Sequence, residues 1–232
     1  TLDRDEALAG ASFVINQVRV GGQRARHADI QLCLEFDLIG QETTGMGGFA
    51  KALRTIPVTL DLCRAMQRFC PDAWLLNFTN PSGLVTEAIL DHGGVQAPGL
   101  CNVPMDALMA LAAHLGTRPE RIDLDHVGLN HLSWIRRVTV DGADVTPSVI
   151  EALAGGAPAN LPDLIDPPWL VHAVGGFPLY YLRFFYHRAA MLAGLKAAPR
   201  SRAEEVMEIE ERLLAIYRDP SQHEKPAALS ER

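Results

Sequence analysis

Residues 73–92, AWLLNFTNPSGLVTEAILDH, contain a strand and a helix joined by a polar turn. The first five residues, AWLLN, are a short apolar run of the kind that forms a buried strand. Pro81 then predicts the start of a helix over residues 82–92, because proline is favoured at the first helical position. A strand that leads directly into a helix is the repeating unit of an α/β protein.

Similar units precede and follow this stretch. Residues 11–20 (ASFVINQVRV) and 98–102 (PGLCN) predict two more short strands, while residues 50–70 and 105–115 have apolar side chains at helical spacing. Pro57 lies inside the first helical pattern, so we expect a helix start or a kink there. Strands and helices that alternate at such short intervals are typical of a parallel sheet covered by helices on both faces.

Polar or reactive side chains follow each predicted strand, at Arg19, at residues 77–80 (NFTN) and at Cys101-Asn102. Parallel sheets bind ligands at the carboxyl ends of their strands. We therefore expect the functional site at these places.

The pattern changes in the second half of the chain. Residues 122–145 alternate between polar and apolar side chains, which predicts antiparallel strands with Asp141-Gly142 as a hairpin turn. A stretch rich in Gly, Ala and Pro at residues 152–168 predicts a loop, and residues 202–217 predict a charged helix.

The composition excludes several classes of protein. The 232 residues are 48% hydrophobic with a net charge of −7, which is too apolar and too weakly charged for a mainly disordered chain. A pI near 5.6 argues against nucleic acid as a partner. No apolar run has the roughly 20 residues that cross a membrane. The four cysteines form no C-x-x-C pair, which indicates a reduced, cytoplasmic protein. We expect both ends to be cut from a longer chain, because residues 1–9 have the pattern of a helix already under way.

Cys101 and His131 are candidates for one metal site. Alone, each residue is more often a structural core residue, and their separation in the chain is too long for a local metal motif. Together, a thiolate and an imidazole could hold one divalent ion with open positions for substrate oxygens.

Three other stretches leave a structural and a functional interpretation open. Residues 40–49 (GQETTGMGGF) match neither common glycine-rich phosphate motif, and form either an exposed turn or a tight loop that carries Gln41 and Glu42 toward the site. Residues 176–186 (GFPLYYLRFFY) either belong to the core or supply a tyrosine base. Such a base needs a nearby cation or an assisting carboxylate, because the ordinary pKa of tyrosine is about 10. Arg200 and Arg202, just before a predicted helix, are either solvated or form a guanidinium fork for a phosphate.

Six motifs, in this order along the chain, are similar to motifs of one enzyme family: QVRVGG (17–22), IGQETTGMGGFAKALRTIPV (39–58), NFTNPSGLVTEA (77–88), GLCNVP (99–104), GLNHLSW (128–134) and FPLYYLRFFY (177–186). The sequence resembles the NAD- and metal-dependent glycosidases of glycoside hydrolase family four, and among them most closely the 6-phospho-β-glucosidases. The resemblance implies an α/β fold with two domains. A Rossmann-like, lactate/malate dehydrogenase-type parallel sheet binds NAD in residues 1–102, and a mixed α/β domain binds substrate and metal in residues 103–232, incomplete at its C-terminal end. The first strand and glycine turn of the family, with the pyrophosphate cradle, would precede Thr1 and are missing here.

The resemblance further implies hydrolysis of 6-phospho-β-glucosides without the usual pair of carboxylates. NAD takes a hydride from C3 of the sugar, a base removes the proton at C2, the aglycone leaves C1 by elimination, water adds, and the hydride returns. The implied cofactors are NAD and Mn2+ or another divalent metal. The implied partners are a phosphorylated disaccharide or β-glucoside and further copies of the chain in a dimer or tetramer, with neither nucleic acid nor membrane.

The motifs also imply a role for particular residues. The implied catalytic residues are Tyr181, the base, with Tyr180 as its competitor, and Glu42, a carboxylate that makes the tyrosine more basic. The implied metal ligands are Cys101 and His131, the implied substrate-binding residues are Arg19, Asn80, Asn102 and Arg202, and the implied cofactor-binding residues are Asn77 and Asn80.

Gly99 stands where α-acting members of the family carry an acid, which favours β-glycosides. Three alternatives remain. The first is another glycosidase of the family with an α-linked or non-phosphorylated substrate. The others are a hydroxy-acid NAD dehydrogenase with the same nucleotide-binding fold, and a non-catalytic relative.

Overall fold

The structure, a computed structural model, describes residues 1–155 and 168–219. The helices are α1 (Arg4–Leu8), α2 (Gly22–Glu35), α3 (Gly45–Phe69), α4 (Ser82–His92), α5 (Val103–Leu115), α6 (Thr146–Ala154), α7 (Pro168–Val174), α8 (Arg183–Tyr186), α9 (Arg188–Ala197) and α10 (Arg202–Arg218). The strands are β1 (Phe13–Asn16), β2 (Trp74–Asn77), β3 (Ile122–Leu129), β4 (Leu132–Val140), β5 (Ala143–Asp144) and β6 (Phe177–Pro178). In the described ranges no helix is both long and apolar enough to span a membrane.

The chain forms two compact units. The first comprises Thr1–Gly99 and the described part of Leu192–Arg232, and the second comprises Leu100–Met191. The domains inferred from the sequence, 1–102 and 103–232, stay a prediction.

The first unit is built on a parallel pair of strands. β1 and β2 pair in register from Phe13 opposite Trp74 to Asn16 opposite Asn77. One face of this sheet is buried, because Leu75 packs with side chains of α3 and α4. The parallel pairing, with helices between the strands, confirms the predicted α/β class.

The third predicted strand is wrong in its bounds. Residues 98–102 form no strand, and only isolated parallel bridges join Gln96 and Gly99 to β2. Pro98 has no N–H to donate to a ladder, although its carbonyl accepts a hydrogen bond from the Asn77 N–H at 3.0 Å. The chain then turns through Cys101 into α5.

The predicted glycine-rich loop is also wrong, since α3 begins at Gly45, inside it. A Cβ atom on Gly47 or Gly48 would lie 2.6 Å from the Gln41 carbonyl oxygen or 2.3 Å from that of Thr43. Glycine at these positions therefore lets the short bend at residues 40–44 pack directly on the first turn of the helix. Pro57 is neither the start of α3 nor its end, because the helix runs on to Phe69.

The second unit contains a mainly antiparallel sheet. β4 is its central strand and pairs antiparallel with β3, β5 and β6. The predicted antiparallel pair and its turn at Asp141-Gly142 are confirmed, and that turn leads into the two-residue β5. A second connection of two residues, Asn130-His131, joins β3 to β4. Most of the loop predicted at residues 152–168 lies outside the described residues, and residues 152–154 end α6.

The core of the first unit predicts where substitutions lower the stability of the fold most. Leu75→Ala should lower the free energy of unfolding by about 2–5 kcal/mol, because its side chain is fully buried and the substitution leaves a cavity. Leu90→Ala, at a side chain 60% exposed on α4, should cost less than about 0.5 kcal/mol. Urea unfolding of both variants measures the difference, and equal losses would contradict the packing described.

Candidate active site

In the second unit, Cys101 and His131 lie side by side. The Cys101 sulfur is 3.5 Å from Nε2 of His131, although 30 positions separate the two residues in the chain. Cys101 is half-buried just before α5, and His131 is buried at the connection between β3 and β4. The backbone of His131 has a φ of 61°, which is uncommon for a residue other than glycine. Folding of the hairpin therefore brings together the two residues that the sequence proposes as metal ligands.

The distance between these donors is compatible with one shared metal ion. With zinc bond lengths as a guide, about 2.3 Å to sulfur and 2.0–2.1 Å to nitrogen, one ion holds the two atoms roughly 3.1–3.6 Å apart. A search of the described residues finds no group of three or more His, Cys, Asp or Glu side chains that could hold a metal. The donor set thus fits a site with open positions, and the ligand role of both residues stays a prediction.

Tyr181 belongs to the same cluster. Its ring stacks on the His131 ring with 3.6 Å between centroids and 11° between planes. Tyr180 instead meets the Tyr181 ring edge-on at 5.4 Å and carries the Arg183 guanidinium 3.9 Å above its own ring. The sequence separates the two tyrosines only by motif, whereas the structure places Tyr181 against the candidate ligand. Tyr181 as the base stays a prediction.

Asn102 follows Cys101 and caps the amino end of α5. Its carbonyl oxygen accepts a hydrogen bond from the Asp106 N–H at 2.8 Å, and its side chain is exposed. An exposed amide next to the candidate ligand can donate to a substrate oxygen, the role that stays predicted for it.

In the first unit, Glu42 is surrounded by three cations. Its Oε2 atom accepts hydrogen bonds from Arg19 at 2.6 Å and from Lys51 at 3.0 Å, and lies 3.3 Å from Nε of Arg26. Lys51 is almost fully buried, with 3% of its side chain exposed. Sequence reasoning missed Arg26 and Lys51, because a cation at a helical position has the pattern of a solvated side chain.

The bend at residues 40–44 holds Glu42 in place. The Gln41 side-chain oxygen accepts hydrogen bonds from the backbone N–H groups of Thr43 at 2.6 Å and Thr44 at 2.8 Å. Gly47, in the first turn of α3, has no side chain and so lets the Gln41 carbonyl of the bend pack directly against the helix. Glu42 thus sits on a short, tightly bonded connection between α2 and α3.

The charges around Glu42 decide its protonation. Burial raises the pKa of Glu42, but the charges of Lys51 and Arg26 and the hydrogen bond from Arg19 outweigh burial and lower the pKa to about 2. Glu42 is therefore a carboxylate near neutral pH and is a poor proton acceptor there. Burial lowers the pKa of Lys51, and the neighbouring arginines lower it further against the opposite effect of Glu42.

Asn77 and Asn80 follow β2 in different environments. Asn77 is fully buried, accepts a hydrogen bond from Asn16 at 3.0 Å and donates to Thr86 at 3.0 Å. Asn80 is half-buried three residues later, in the turn before α4. Their roles toward a cofactor or substrate stay predictions, and the structure shows that Asn77 also joins the ends of β1 and β2.

Arg202 is the first residue of α10. Its exposed guanidinium pairs with Glu205 at 2.7 Å in the same helical turn. Ser201 caps the helix, with its side chain accepting from the Glu204 N–H and the Glu204 carboxylate accepting from the Ser201 N–H. The proposed site residues are divided between the two units. The first contains Arg19, Glu42, Asn77, Asn80 and Arg202, and the second contains Cys101, Asn102, His131 and Tyr181.

Comparison with known sequences decides the family. A family model described as "Family 4 glycosyl hydrolase" matches residues 1–117. A second model, described as "Family 4 glycosyl hydrolase C-terminal domain", matches residues 126–232. The chain belongs to glycosyl hydrolase family 4. The resemblance noted in the motifs is confirmed.

Individual relatives agree with this family. The chain is 39% identical to a probable 6-phospho-beta-glucosidase of Bacillus subtilis and 36% identical to a 6-phospho-beta-glucosidase of Escherichia coli. Each match covers all of this chain and 54% of the relative, so the chain spans about half the length of these relatives.

A solved structure confirms the Rossmann-like fold. The 6-phospho-beta glucosidase of Thermotoga maritima with manganese, NAD+ and glucose-6-phosphate matches with a TM-score of 0.88 and 37% identity. The match covers 100% of this chain and 55% of that one.

The cluster around Glu42 predicts how stability depends on pH. Glu42→Gln should lower the free energy of unfolding at pH 7 by about 3 kcal/mol, because it leaves buried cations without their carboxylate. The folded pKa of about 2 lies below the unfolded value of about 4.3, so the contribution of Glu42 is present above pH 5 and lost as the pH falls toward 2.

Chemical unfolding at several pH values measures this difference, with Glu87→Gln, at an exposed carboxylate on α4, as the matched control. The difference between wild type and Glu42→Gln should shrink on acidification. A deficit that stays constant from pH 7 to pH 3 would contradict the assigned ionisation.

Proposed function

We propose that the protein hydrolyses 6-phospho-β-glucosides with NAD and a divalent metal, manganese, as cofactors. One observation carries the proposal: the sulfur of Cys101 and the ring of Tyr181 both contact the ring of His131. A soft donor, an imidazole and a phenol in one cluster supply metal ligation and proton transfer together. The names and bound molecules of the relatives support the same activity.

Each side chain of the cluster has a defined task. Cys101 and His131 would hold the metal. Tyr181 takes the proton from C2 through its phenolic oxygen, and the aglycone leaves C1 by elimination. Water then adds across the C1–C2 double bond, which returns a proton to C2 and places a hydroxyl on C1. When bound, NAD accepts and returns the hydride at C3, and the metal polarises the oxygens on C2 and C3. The stacking of His131 on Tyr181 orients the phenol relative to the metal ligands.

The other predicted residues bind and orient. Arg19, Asn80, Asn102 and Arg202 bind the sugar and its phosphate, and Asn77 and Asn80 contact the cofactor. Glu42 contributes a fixed negative charge that favours a cationic or protonated neighbour, since its pKa of about 2 excludes proton transfer near pH 7.

The surroundings of Gly99 support a β-linked substrate. A Cβ atom on Gly99 would lie 2.3 Å from Oγ1 of Thr86 and 3.0 Å from Oγ of Ser82. An acid at this position, as the resemblance implies for α-acting members, has room only if the side chains of Thr86 and Ser82 move.

Location and assembly belong to the same proposal. The four cysteines are free, and three of them are buried, which fits the reducing cytoplasm. The assembly into a dimer or tetramer rests on the family resemblance.

Loss of the Cys101 sulfur should weaken metal binding. Cys101→Ser should weaken Mn2+ binding by at least about tenfold and abolish metal-dependent hydrolysis, while the nearly equal size of serine preserves the fold. Calorimetric titration of Mn2+ into the intact protein measures the affinity, with His126→Asn on an exposed face of β3 as control. Full activity of Cys101→Ser in chelator-treated buffer would refute the metal assignment.

Proton abstraction should leave an isotopic signature. Turnover in D2O should place deuterium at C2 of the product sugar, as NMR or mass spectrometry detects. Tyr181→Phe should reduce the rate by about 10²–10⁴, whereas Tyr180→Phe retains most of it, because only Tyr181 stacks on His131. Unlabelled product would exclude a base at C2, and net accumulation of NADH would indicate a dehydrogenase instead.

A further inference from the structure

The ladder between β1 and β2 ends at a side chain. Asn16 and Asn77 are the last paired residues of the two strands, and the Phe78 N–H donates to the Asn16 carbonyl at 2.9 Å. Two residues further along the first segment, the Val18 N–H donates at 2.8 Å to the hydroxyl of Thr79. A parallel ladder consists of evenly spaced main-chain bonds. The Thr79 hydroxyl therefore takes the place of the next main-chain acceptor, at the point where the ladder stops.

The Thr79 hydroxyl is hydrogen-bonded on both sides. It also donates to the Asn16 carbonyl at 3.0 Å, so one oxygen atom joins two main-chain groups of the first segment. Thr79 is 2% exposed, and its own N–H donates to the side-chain oxygen of Asn77 at 3.2 Å. The same Asn77 oxygen accepts a hydrogen bond from the Asn16 amide at 3.0 Å. A buried polar network that is satisfied in this way makes the backbone segments that it joins rigid.

The two segments that Thr79 joins carry residues predicted to bind ligands. Arg19 and Asn80 each stand three positions beyond the last residue of a strand, and the two strands end at the same edge of the sheet. Ligands bind at this edge in α/β folds. Val18 precedes Arg19 and Thr79 precedes Asn80. The hydrogen bond between Val18 and Thr79 thus fixes the spacing of the two backbone segments from which both side chains start.

We propose that Thr79 is a positioning residue for ligand binding by Arg19 and Asn80. Its hydroxyl ends the ladder at a fixed spacing, so the two segments diverge toward α2 and α4 while the starting points of both side chains stay in place. The inference rests on the proposed function, in which Arg19 and Asn80 bind the sugar phosphate. It adds a buried residue that acts through them.

Removal of the hydroxyl tests this role. Thr79→Val keeps nearly the same shape but removes both bonds, so it should weaken the binding of glucose 6-phosphate about two- to tenfold, which corresponds to the usual net contribution of a hydrogen bond. Thr79→Ser keeps the hydroxyl and should restore the affinity to within about twofold. Calorimetric titration of glucose 6-phosphate into the intact protein, with NAD+ and Mn2+ present, measures both variants. In turnover, Thr79→Val should raise KM more than it lowers kcat.

Thr146→Val is the matched control. The Thr146 hydroxyl is also buried, accepts a hydrogen bond from the Val138 N–H at 2.8 Å and donates to the carbonyl of the same residue at 3.4 Å. Thr146 begins α6, whereas the predicted site residues belong to other parts of the chain. Thr146→Val should therefore lower the urea midpoint as Thr79→Val does, and leave the affinity for glucose 6-phosphate unchanged.

A double-mutant cycle shows whether Thr79 acts through its neighbour. In an Asn80→Ala background, Thr79→Val should weaken binding by a smaller factor than in wild type, because one of the side chains that it positions is gone. Equal factors in both backgrounds would indicate a general loss of structure and contradict the inference.

The outcomes distinguish this inference from the proposed activity. If wild type is active and Thr79→Val binds glucose 6-phosphate as tightly, the positioning role is overturned and the activity stands. An equal loss of affinity in Thr79→Ser and Thr79→Val also overturns it, because the hydroxyl is then not the group that matters. If wild type is inactive but the affinity still falls in Thr79→Val and returns in Thr79→Ser, only the activity is overturned. A wild-type protein that does not bind glucose 6-phosphate overturns both.

Discussion

The hairpin connection at His131 is the constraint on which the candidate metal centre depends. Because β3 and β4 are joined by only two residues, the ring of His131 is held at the end of the sheet, where it meets the sulfur of Cys101 and the ring of Tyr181. Gly128 lets the end of β3 lie close to the start of β4, since a Cβ atom there would lie 2.1 Å from the Leu132 carbonyl oxygen. A slip of the register by one residue would turn the imidazole to the other face and separate all three groups.

Local signals predicted the fold where one segment determines its own structure. The strand at residues 73–77 and the helix at Ser82–His92 were predicted nearly to the residue, because the apolar run and Pro81 act over a few positions. α2 was missed, since its buried residues include Gln23 and Asp29 and its apolar periodicity is weak. The start of α3 was missed because its glycines serve a contact with a neighbouring bend, which no spacing rule contains.

In the candidate site, too, some residues were predicted from the sequence and others were missed. Cys101 and His131 were paired from the sequence through long motifs, although their spacing alone gave no local pattern, and the structure brings them together. Lys51 and Arg26 were not predicted, because the property that distinguishes them is convergence on one carboxylate from separate helices. Which charged side chains converge depends on how the helices pack against one another. The sequence alone does not show that packing.

The resemblance implies two catalytic roles, a base that takes a proton and a carboxylate that acts through its charge, and the pKa of Glu42 decides which of the two it can fill. A group that moves a proton near pH 7 needs a pKa near that value, whereas a group that acts by its field needs to keep its charge. Glu42, with a pKa of about 2, meets only the second requirement. Arg19, Arg26 and Lys51 keep Glu42 ionised, so its charge depends on three side chains that the fold brings to one oxygen atom. Proton transfer then has to come from another group, and Tyr181, stacked on a candidate metal ligand, has the chemistry for it.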